Sequence, residues 1–232
     1  MTLSIVIPIF NEKNTILEIL KKVEEVNLGQ IQKEIILVDD GSTDGTRDIL
    51  KTLENKYKII YQPKNQGKGA ALRAGFKQFT GDLVLVQDAD LEYNPENYPN
   101  LLKPILENKA DAVYGSRFLN PNYRHLSTIY HLANKVLTGF SNLLTGFHLT
   151  DMLTCHKVFK KEVIEKINPY LTGNRFEIEP EITSLIAKKK YRICEVPLSF
   201  PGILRTAKEG KKVRPKDGLA AIWYMIKFNL LR

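Results

Sequence analysis

Residues 83–92 read LVLVQDADLE. Four apolar residues and Gln87 give way abruptly to Asp88, Ala89 and Asp90, and Glu92 follows two positions later. A short, continuous apolar run bounded by polar residues predicts a strand over 83–87 that is buried on both faces, as in parallel sheets. Residues i and i+2 of an extended segment share a face, so Asp88 and Asp90 are expected to point to one region.

The same signature recurs on both sides of this stretch. Strands are expected over 3–10, 34–40, 58–62 and 112–115, with helical patterns over about 15–26, 46–56, 70–79 and 97–107. Strand–helix alternation with helices of this length predicts an α/β chain: right-handed crossovers and a mostly parallel, Rossmann-like sheet flanked by helices. In such a sheet ligands bind beyond the carboxyl ends of the strands. The polar punctuation falls at those ends: Pro8-Ile9-Phe10-Asn11-Glu12, Asp39-Asp40-Gly41-Ser42, Asp88-Ala89-Asp90 and Gly115-Ser116-Arg117. Ser42, Thr43 and Asp44 read as N-cap chemistry for the next helix. After Arg117 the pattern loosens. A helix or helix pair is expected over 126–144, a helix over 177–187 with Glu177, Glu179 and Glu181 on a solvated face or with Glu177 turned to the site, and a strand over 191–197. A polar, basic loop follows over 199–216, then a terminal helix over 217–231.

The chain has 232 residues, 43% hydrophobic and 26% charged, enough to bury one core without disulfide staples. Two cysteines, Cys155 and Cys194, do not make a disulfide framework, so a reducing compartment is expected. MTLSIVIPIFNE has neither a basic leader nor a small-residue cleavage site, and no stretch reaches about 18 apolar residues; neither a signal peptide nor a membrane span is expected. The formal charge of +8 is unevenly placed: residues 188–232 hold 12 basic and three acidic side chains, a net +9, against −1 for residues 1–187. A coat meant for nucleic acid would be spread or carry a reading motif, and neither is present, so no nucleic acid is expected as a partner. A basic tail points to something local and anionic.

PIFNE, VDDGSTDGT, NQGKGAALRAGF, DADLE and GSRF occur in this order. Together they resemble family 2 glycosyltransferases of the GT-A fold, and within them the dolichyl-phosphate mannose synthase and polyprenyl-phosphate sugar transferase branch. The likeness covers about residues 3–118 and continues through LTDMLTCHKVFKKEV (149–163), RFEIEPEI (175–182), EVPLSF (195–200) and RTAKEGKKVRPKDG (205–218). The chain divides accordingly into a nucleotide-sugar half (1–118), an acceptor half (119–216) and a C-terminal helix (217–231).

The resemblance implies that Pro8, Phe10 and Glu12 hold the nucleotide, Phe10 against the base and Glu12 accepting from ribose hydroxyls. It implies that Val38 and Asp40 flank the base edge, and that Ala89 meets the nucleoside. Asp88 and Asp90 would meet Mg²⁺ or Mn²⁺ and the diphosphate, with Glu92 a further metal ligand; such hard cations take oxygen ligands. Many relatives carry Tyr where Phe10 stands and Gln where Glu92 stands. Relatives also carry Asp-x-x-Ser/Cys-Gly-Phe-Arg where this chain has Asp151 followed by Cys155-His156-Lys157. Asp151 would contact the sugar or order the acceptor loop, and His131 and His156 are read as packed or surface histidines. Gln66-Gly67-Lys68-Gly69 lacks P-loop spacing; it either sets Lys68 and backbone N–H groups near an anion or turns tightly into a packed helix.

The acceptor is read from the charge. A hydroxyl needs a general base at neutral pH, whereas a lipid phosphate is already anionic and needs cations to position it. Arg117, Arg205 and Lys211 supply these, with Gly202 and Gly210 as hinges of a lid. The terminal segment LAAIWYMIKFNLL (219–231) is apolar almost all round, suiting a core helix or a membrane interface. The expected activity is inverting transfer of mannose or glucose from a nucleotide sugar such as GDP-mannose to a polyprenyl or dolichyl phosphate. Asp90 and Arg117 would be catalytic, and the enzyme would lie peripherally on the cytoplasmic face of the membrane, with or without a membrane-anchoring partner. The alternatives are a family 2 enzyme acting on a saccharide hydroxyl, with Asp151 or Glu177 as base, and a non-catalytic nucleotide-sugar or membrane-binding module.

Overall fold

A computed structural model describes residues 1–120, 128–199 and 215–231. Its centre is a seven-stranded sheet in the order β3-β2-β1-β4-β6-β5-β7. The strands are β1 (Thr2–Ile9), β2 (Gln32–Asp39), β3 (Lys58–Tyr61), β4 (Leu83–Val86), β5 (Ala112–Ser116), β6 (Lys157–Lys160) and β7 (Ile193–Pro197). All pairings are parallel except those of β6, which runs antiparallel to both β4 and β5. The helices are α1 (Ile16–Glu25), α2 (Thr46–Lys51), α3 (Lys68–Gly75), α4 (Tyr98–Leu106), α5 (Thr128–Thr145), α6 (Lys161–Ile167), α7 (Ile178–Lys188) and α8 (Pro215–Ile226).

Strand alternation sorts the core onto two faces. Leu3, Ile5, Ile7, Leu37, Leu83 and Leu85 pack against α1 and α4 on one side, while Val6, Ile36, Val38, Val84 and Val86 pack against α3 and α7 on the other. On α1, Ile16, Ile19, Leu20 and Val23 fall at i, i+3, i+4 and i+7 and all are buried, each burial worth about 1.5–3 kcal/mol. The expected parallel sheet is therefore found, with one strand the sequence reading did not place. Lys157–Lys160 (KVFK) is short, begins and ends in lysine, and runs straight into α6, so neither strand alternation nor helix period stands out. Its antiparallel course matters for function, because its first residues reach the edge where β1, β2, β4 and β5 end.

Candidate active site

That edge holds a cavity of about 600 Å³, lined by all four strand-end segments, by the start of α3, and by residues just before β6 and around the start of α7. Its walls come first from the loops after β1 and β2. Asn11 sits in the left-handed region (φ 55°), a conformation asparagine tolerates, and turns the chain back after Phe10. The Asn11 N–H donates to Ser42 Oγ (3.0 Å), the Thr43 N–H to Asn11 Oδ1 (2.9 Å), and the Glu12 N–H to Thr46 Oγ1 (2.9 Å). Phe10 is thus fixed half-buried on the cavity wall. Glu12 is buried, and Thr15 Oγ1 donates to its Oε2 at 2.8 Å.

Leu91 also adopts a positive φ of 65°, rare for a leucine, and this bend follows Asp88 and Asp90 directly. The Glu92 N–H donates to Asp90 Oδ1 at 3.1 Å, setting that carboxylate. Lys68 Nζ lies 2.6 Å from Asp88 Oδ1 and 3.5 Å from Glu179 Oε1. Burial alone would lower the Lys68 pKa; the charges of Asp88 and Glu179 outweigh it and hold the ammonium well above the usual lysine value. The other oxygen of Glu179 pairs with Lys157, itself fully buried, which also donates to the Met152 carbonyl (3.1 Å) and sits 4.4 Å above the Tyr114 ring. The Cys155 thiol beside this group is raised by burial and by Asp88, so it stays protonated.

Arg117, after β5, also lines the cavity. Its Nε and Nη2 donate to both oxygens of Asp151 at 2.7 and 2.8 Å, a bidentate pair. Asp151 is fully buried; burial pushes its pKa up, but Arg117 and a hydrogen bond from Asn134 (2.8 Å) bring it below the usual carboxylate range. The 150–151 backbone is held in turn by Glu195 on β7, which accepts from the Thr150 and Asp151 N–H groups at 2.6 and 2.8 Å. Arg175 and Phe176 line the cavity too, and Arg175 pairs with Asp217 at the start of α8 (3.0 Å).

Residues 4–168 match the family described as Glycosyl transferase family 2. The chain belongs to that family. Among curated relatives, it is 32% identical over 209 residues to a dolichol-phosphate mannosyltransferase of Pyrococcus furiosus, covering 86% of this chain and 56% of that one. It is 28% identical over 213 residues to a UDP-N-acetylglucosamine–dolichyl-phosphate N-acetylglucosaminyltransferase of Methanococcus voltae, covering 84% of this chain and 83% of the relative. The chain thus spans little more than half the length of the first and most of the second. Among solved structures, glucosyl-3-phosphoglycerate synthase of Mycobacterium tuberculosis, with Mn²⁺, UDP and phosphoglyceric acid, superposes with a TM-score of 0.74 at 20% identity, over 99% of this chain and 78% of that one. The same enzyme with Mg²⁺ and UDP gives 0.74 over 98% and 79%. The fold is GT-A, as the family motifs implied.

The family 2 motifs converge on the cavity: Pro8, Phe10, Glu12, Asp40, Asp88, Ala89, Asp90, Glu92 and Arg117 all line it. Val38 does not. It is fully buried under α3, its side chain pressed toward Gly75, and cannot touch a nucleotide in this arrangement. Asp40 reaches the cavity, but its carboxylate accepts from the Gln66 and Gly67 N–H groups (2.8 and 2.7 Å) and from Asn65 Nδ2 (2.9 Å), so it shapes the loop before α3. Arg205, Lys211 and the hinge glycines Gly202 and Gly210 lie outside the described residues. The acids of α7 are not on a solvated face: Glu177, Glu179 and Glu181 are 8, 3 and 0% exposed. Glu181 caps the Thr172 and Gly173 amides and Glu177 those of Asn174 and Arg175, which fold the 172–175 loop onto α3. There a Cβ at Gly67 or Gly69 would come within 2.4 Å of a loop carbonyl, so both glycines are required by close approach. Ala70 N–H donates to Asn174 O (3.0 Å), so the start of α3 is a packed turn that delivers Lys68 to the cavity.

Asp88 and Asp90 supply the hard oxygen ligands a divalent cation takes and line a cavity roomy enough for a diphosphate; Lys68 holds Asp88 Oδ1, which leaves the other Asp88 oxygen and Asp90 for an ion that keeps few protein ligands. Among the described residues no three His, Cys, Asp or Glu side chains gather tightly enough to hold a metal, and Glu92 lines the same cavity as the two aspartates. Residues that the motifs alone did not bring to the site are Glu179, Tyr93, Cys155, Arg175 and Phe176. The weak continuation of the family pattern through 149–163 and 175–182 was the one signal that pointed to most of them.

Proposed function

We propose that this family 2 enzyme transfers a hexose, mannose or glucose, with inversion from a nucleotide sugar such as GDP-mannose to a polyprenyl or dolichyl phosphate. The arrangement that carries the reading is Arg117, locked by Asp151 and lining the same cavity as Asp88 and Asp90. It is a cation held in place where an anionic acceptor must approach an anionic donor. The two carboxylates that would serve as base for a hydroxyl acceptor are engaged elsewhere. Asp151 is buried and ion-paired, Glu177 caps two loop amides, and neither lines the cavity. The names of the Pyrococcus and Methanococcus relatives support a dolichyl-phosphate acceptor.

In this mechanism Phe10 stacks on the base and Glu12 accepts from the ribose hydroxyls. Asp88 and Asp90 would hold Mg²⁺ or Mn²⁺, whose charge, when bound, offsets that of the departing nucleoside diphosphate. A lipid phosphate oxygen forms the bond to the anomeric carbon as the bond to the diphosphate breaks on the opposite face; no proton has to be removed. Arg117, with Arg205 and Lys211 contributed by the basic loop, orients the acceptor phosphate. A reaction at the cytoplasmic membrane surface is part of this proposal; the net +9 of residues 188–232, of a sign attracted to anionic headgroups, supports it. The test is a screen of nucleotide sugars against polyprenyl phosphate, free saccharides and water. Transfer to the lipid phosphate that outruns the others, and stops with chelator, is expected; equal transfer to a free saccharide would sink the reading.

A further inference from the structure

Lys68 stands between two carboxylates that have different duties in the proposed reaction. Its Nζ is 2.6 Å from Asp88 Oδ1 and 3.5 Å from Glu179 Oε1, and the Lys68, Asp88 and Glu179 side chains are only 11, 16 and 4% exposed. Asp88 belongs to the metal site in the reading above, and Glu179 does not. Glu179 lines the same cavity, yet its Oε1 is buried and makes no hydrogen bond to any described residue. A buried acceptor in that state is unfavourable until a donor reaches it.

The surroundings of Lys68 are fixed more firmly than its own ammonium. Glu179 Oε2 pairs with Lys157, which also donates to the Met152 carbonyl (3.1 Å) and lies 4.4 Å above the Tyr114 ring, so Glu179 is anchored from behind. The Asp88 backbone is set by the Gln87 side chain, whose amide donates to the Asp88 and Tyr93 carbonyls, both at 2.9 Å. The Lys68 backbone is held where Gly67 and Gly69 meet the 172–175 loop and the Ala70 N–H donates to the Asn174 carbonyl (3.0 Å). A flexible lysine stem on a fixed backbone leaves Nζ able to shift, and it has only the 3.5 Å separation from Glu179 Oε1 to close.

An ammonium and a divalent cation on one carboxylate repel each other, and burial strengthens the repulsion. We propose that Lys68 is an exchangeable counter-ion: it neutralises Asp88 in the free enzyme and moves to Glu179 Oε1 when Asp88 takes part in holding the metal. This rests on the metal reading of Asp88 and Asp90 given above. The buried Lys157–Glu179 pair is then a fixed landing place, and Lys157 and Glu179 are positioning residues that act through Lys68. The lysine stays protonated throughout, and no covalent bond is made or broken.

The test is Mn²⁺ binding to the full chain without nucleotide, read by electron paramagnetic resonance of the free ion in a double-mutant cycle. One axis is Lys68→Met. The other is Lys157→Met together with Glu179→Gln, which removes one charge of each sign and leaves the net charge unchanged. Glu179→Asp, which keeps both charges and shortens the reach, serves as a second version of that axis, and thermal melts check folding. With Lys68 present, either change at Glu179 is expected to weaken Mn²⁺ binding by about tenfold; in the Lys68→Met background it should have no effect, and Lys68→Met alone should tighten binding by about tenfold. Equal effects in both backgrounds, or none in either, would overturn the exchange and leave the metal reading intact. Absence of Mn²⁺ binding in every form, or binding that Asp90→Ala does not alter, would remove the metal reading and the exchange with it.

Discussion

His156→Phe tests the interior beneath the cavity, and its effect depends on pH in a way that can be worked out. His156 is fully buried at the start of β6, edge-on to Tyr93 and Tyr98 with ring centroids 5.4 and 5.5 Å away. Neither ring nitrogen has a hydrogen-bond partner among the described residues. Burial drives its pKa from 6.5 down to about 3, with Asp88 pulling weakly the other way. Between these values the unfolded chain binds a proton that the folded one refuses, so stability falls as pH drops below 6.5. At pH 7.5 both states are neutral and the contribution vanishes; at pH 4.5 it reaches about 3 kcal/mol, at about 1.4 kcal/mol per pKa unit. A phenyl ring keeps the edge contacts and removes the titration. Whatever the larger ring gains or loses in packing cancels in the difference between the two pH values. Denaturant unfolding at pH 7.5 and 4.5 should therefore show wild type losing about 3 kcal/mol more than His156→Phe, or roughly 6–12 °C in Tm for a chain of this size. Equal losses in the two proteins would refute a buried neutral histidine.

Asp90→Ala should abolish transfer while leaving the melting temperature within about 2 °C, since the side chain is half-buried in the cavity lining rather than in the core; near-normal turnover in chelator would rule out the metal role. Asp151→Asn leaves Arg117 without its buried counter-charge, and should raise the KM for lipid phosphate more than that for donor; chemical denaturation should show a loss of about 3–5 kcal/mol. Arg205→Ala should slow transfer to lipid phosphate more than donor hydrolysis, and parallel losses in the two assays would remove it from the acceptor site. Gly67→Ala, at φ 102° with a loop carbonyl in the way, should destabilise by about 1–3 kcal/mol, whereas Gly29→Ala, in open space at φ 62°, should lose about 1 kcal/mol or less; thermal melts rank the two.

The parallel half of the molecule was legible because both of its signals are local. Buried strands such as residues 83–86 are continuous apolar runs, and their acids fall at the carboxyl ends by topology alone. The rest is carried by contacts between distant segments. α7 reads as an acid-rich amphipathic helix; the 172–175 loop folding back onto α3 explains why Glu177 and Glu181 are inside, and Lys68 and Lys157 explain Glu179. β6 is four residues whose burial comes from the neighbours on both sides. Lys157 looked like a substitution for arginine in a family motif; that it sits over Tyr114 and anchors Glu179 is visible only when α7 and β6 are brought together. Val38 shows the reverse: the motif around it is right, yet strand alternation turns its side chain into the core.

The insertion of β6 between β4 and β5 has a consequence for how this architecture can be cut and recombined. β5 is the last strand before residue 118, but its hydrogen bonds run to β6 and β7, which arrive some forty and eighty residues later. A fragment ending at residue 118 would keep β3, β2, β1 and β4 in register and leave β5 with no strand beside it. Residues 1–118 and the segments that follow are therefore interleaved in the sheet rather than serial. A chimera that exchanges acceptor preference between relatives would have to carry β5, β6 and β7 as one unit, with Arg117 and Asp151 travelling together.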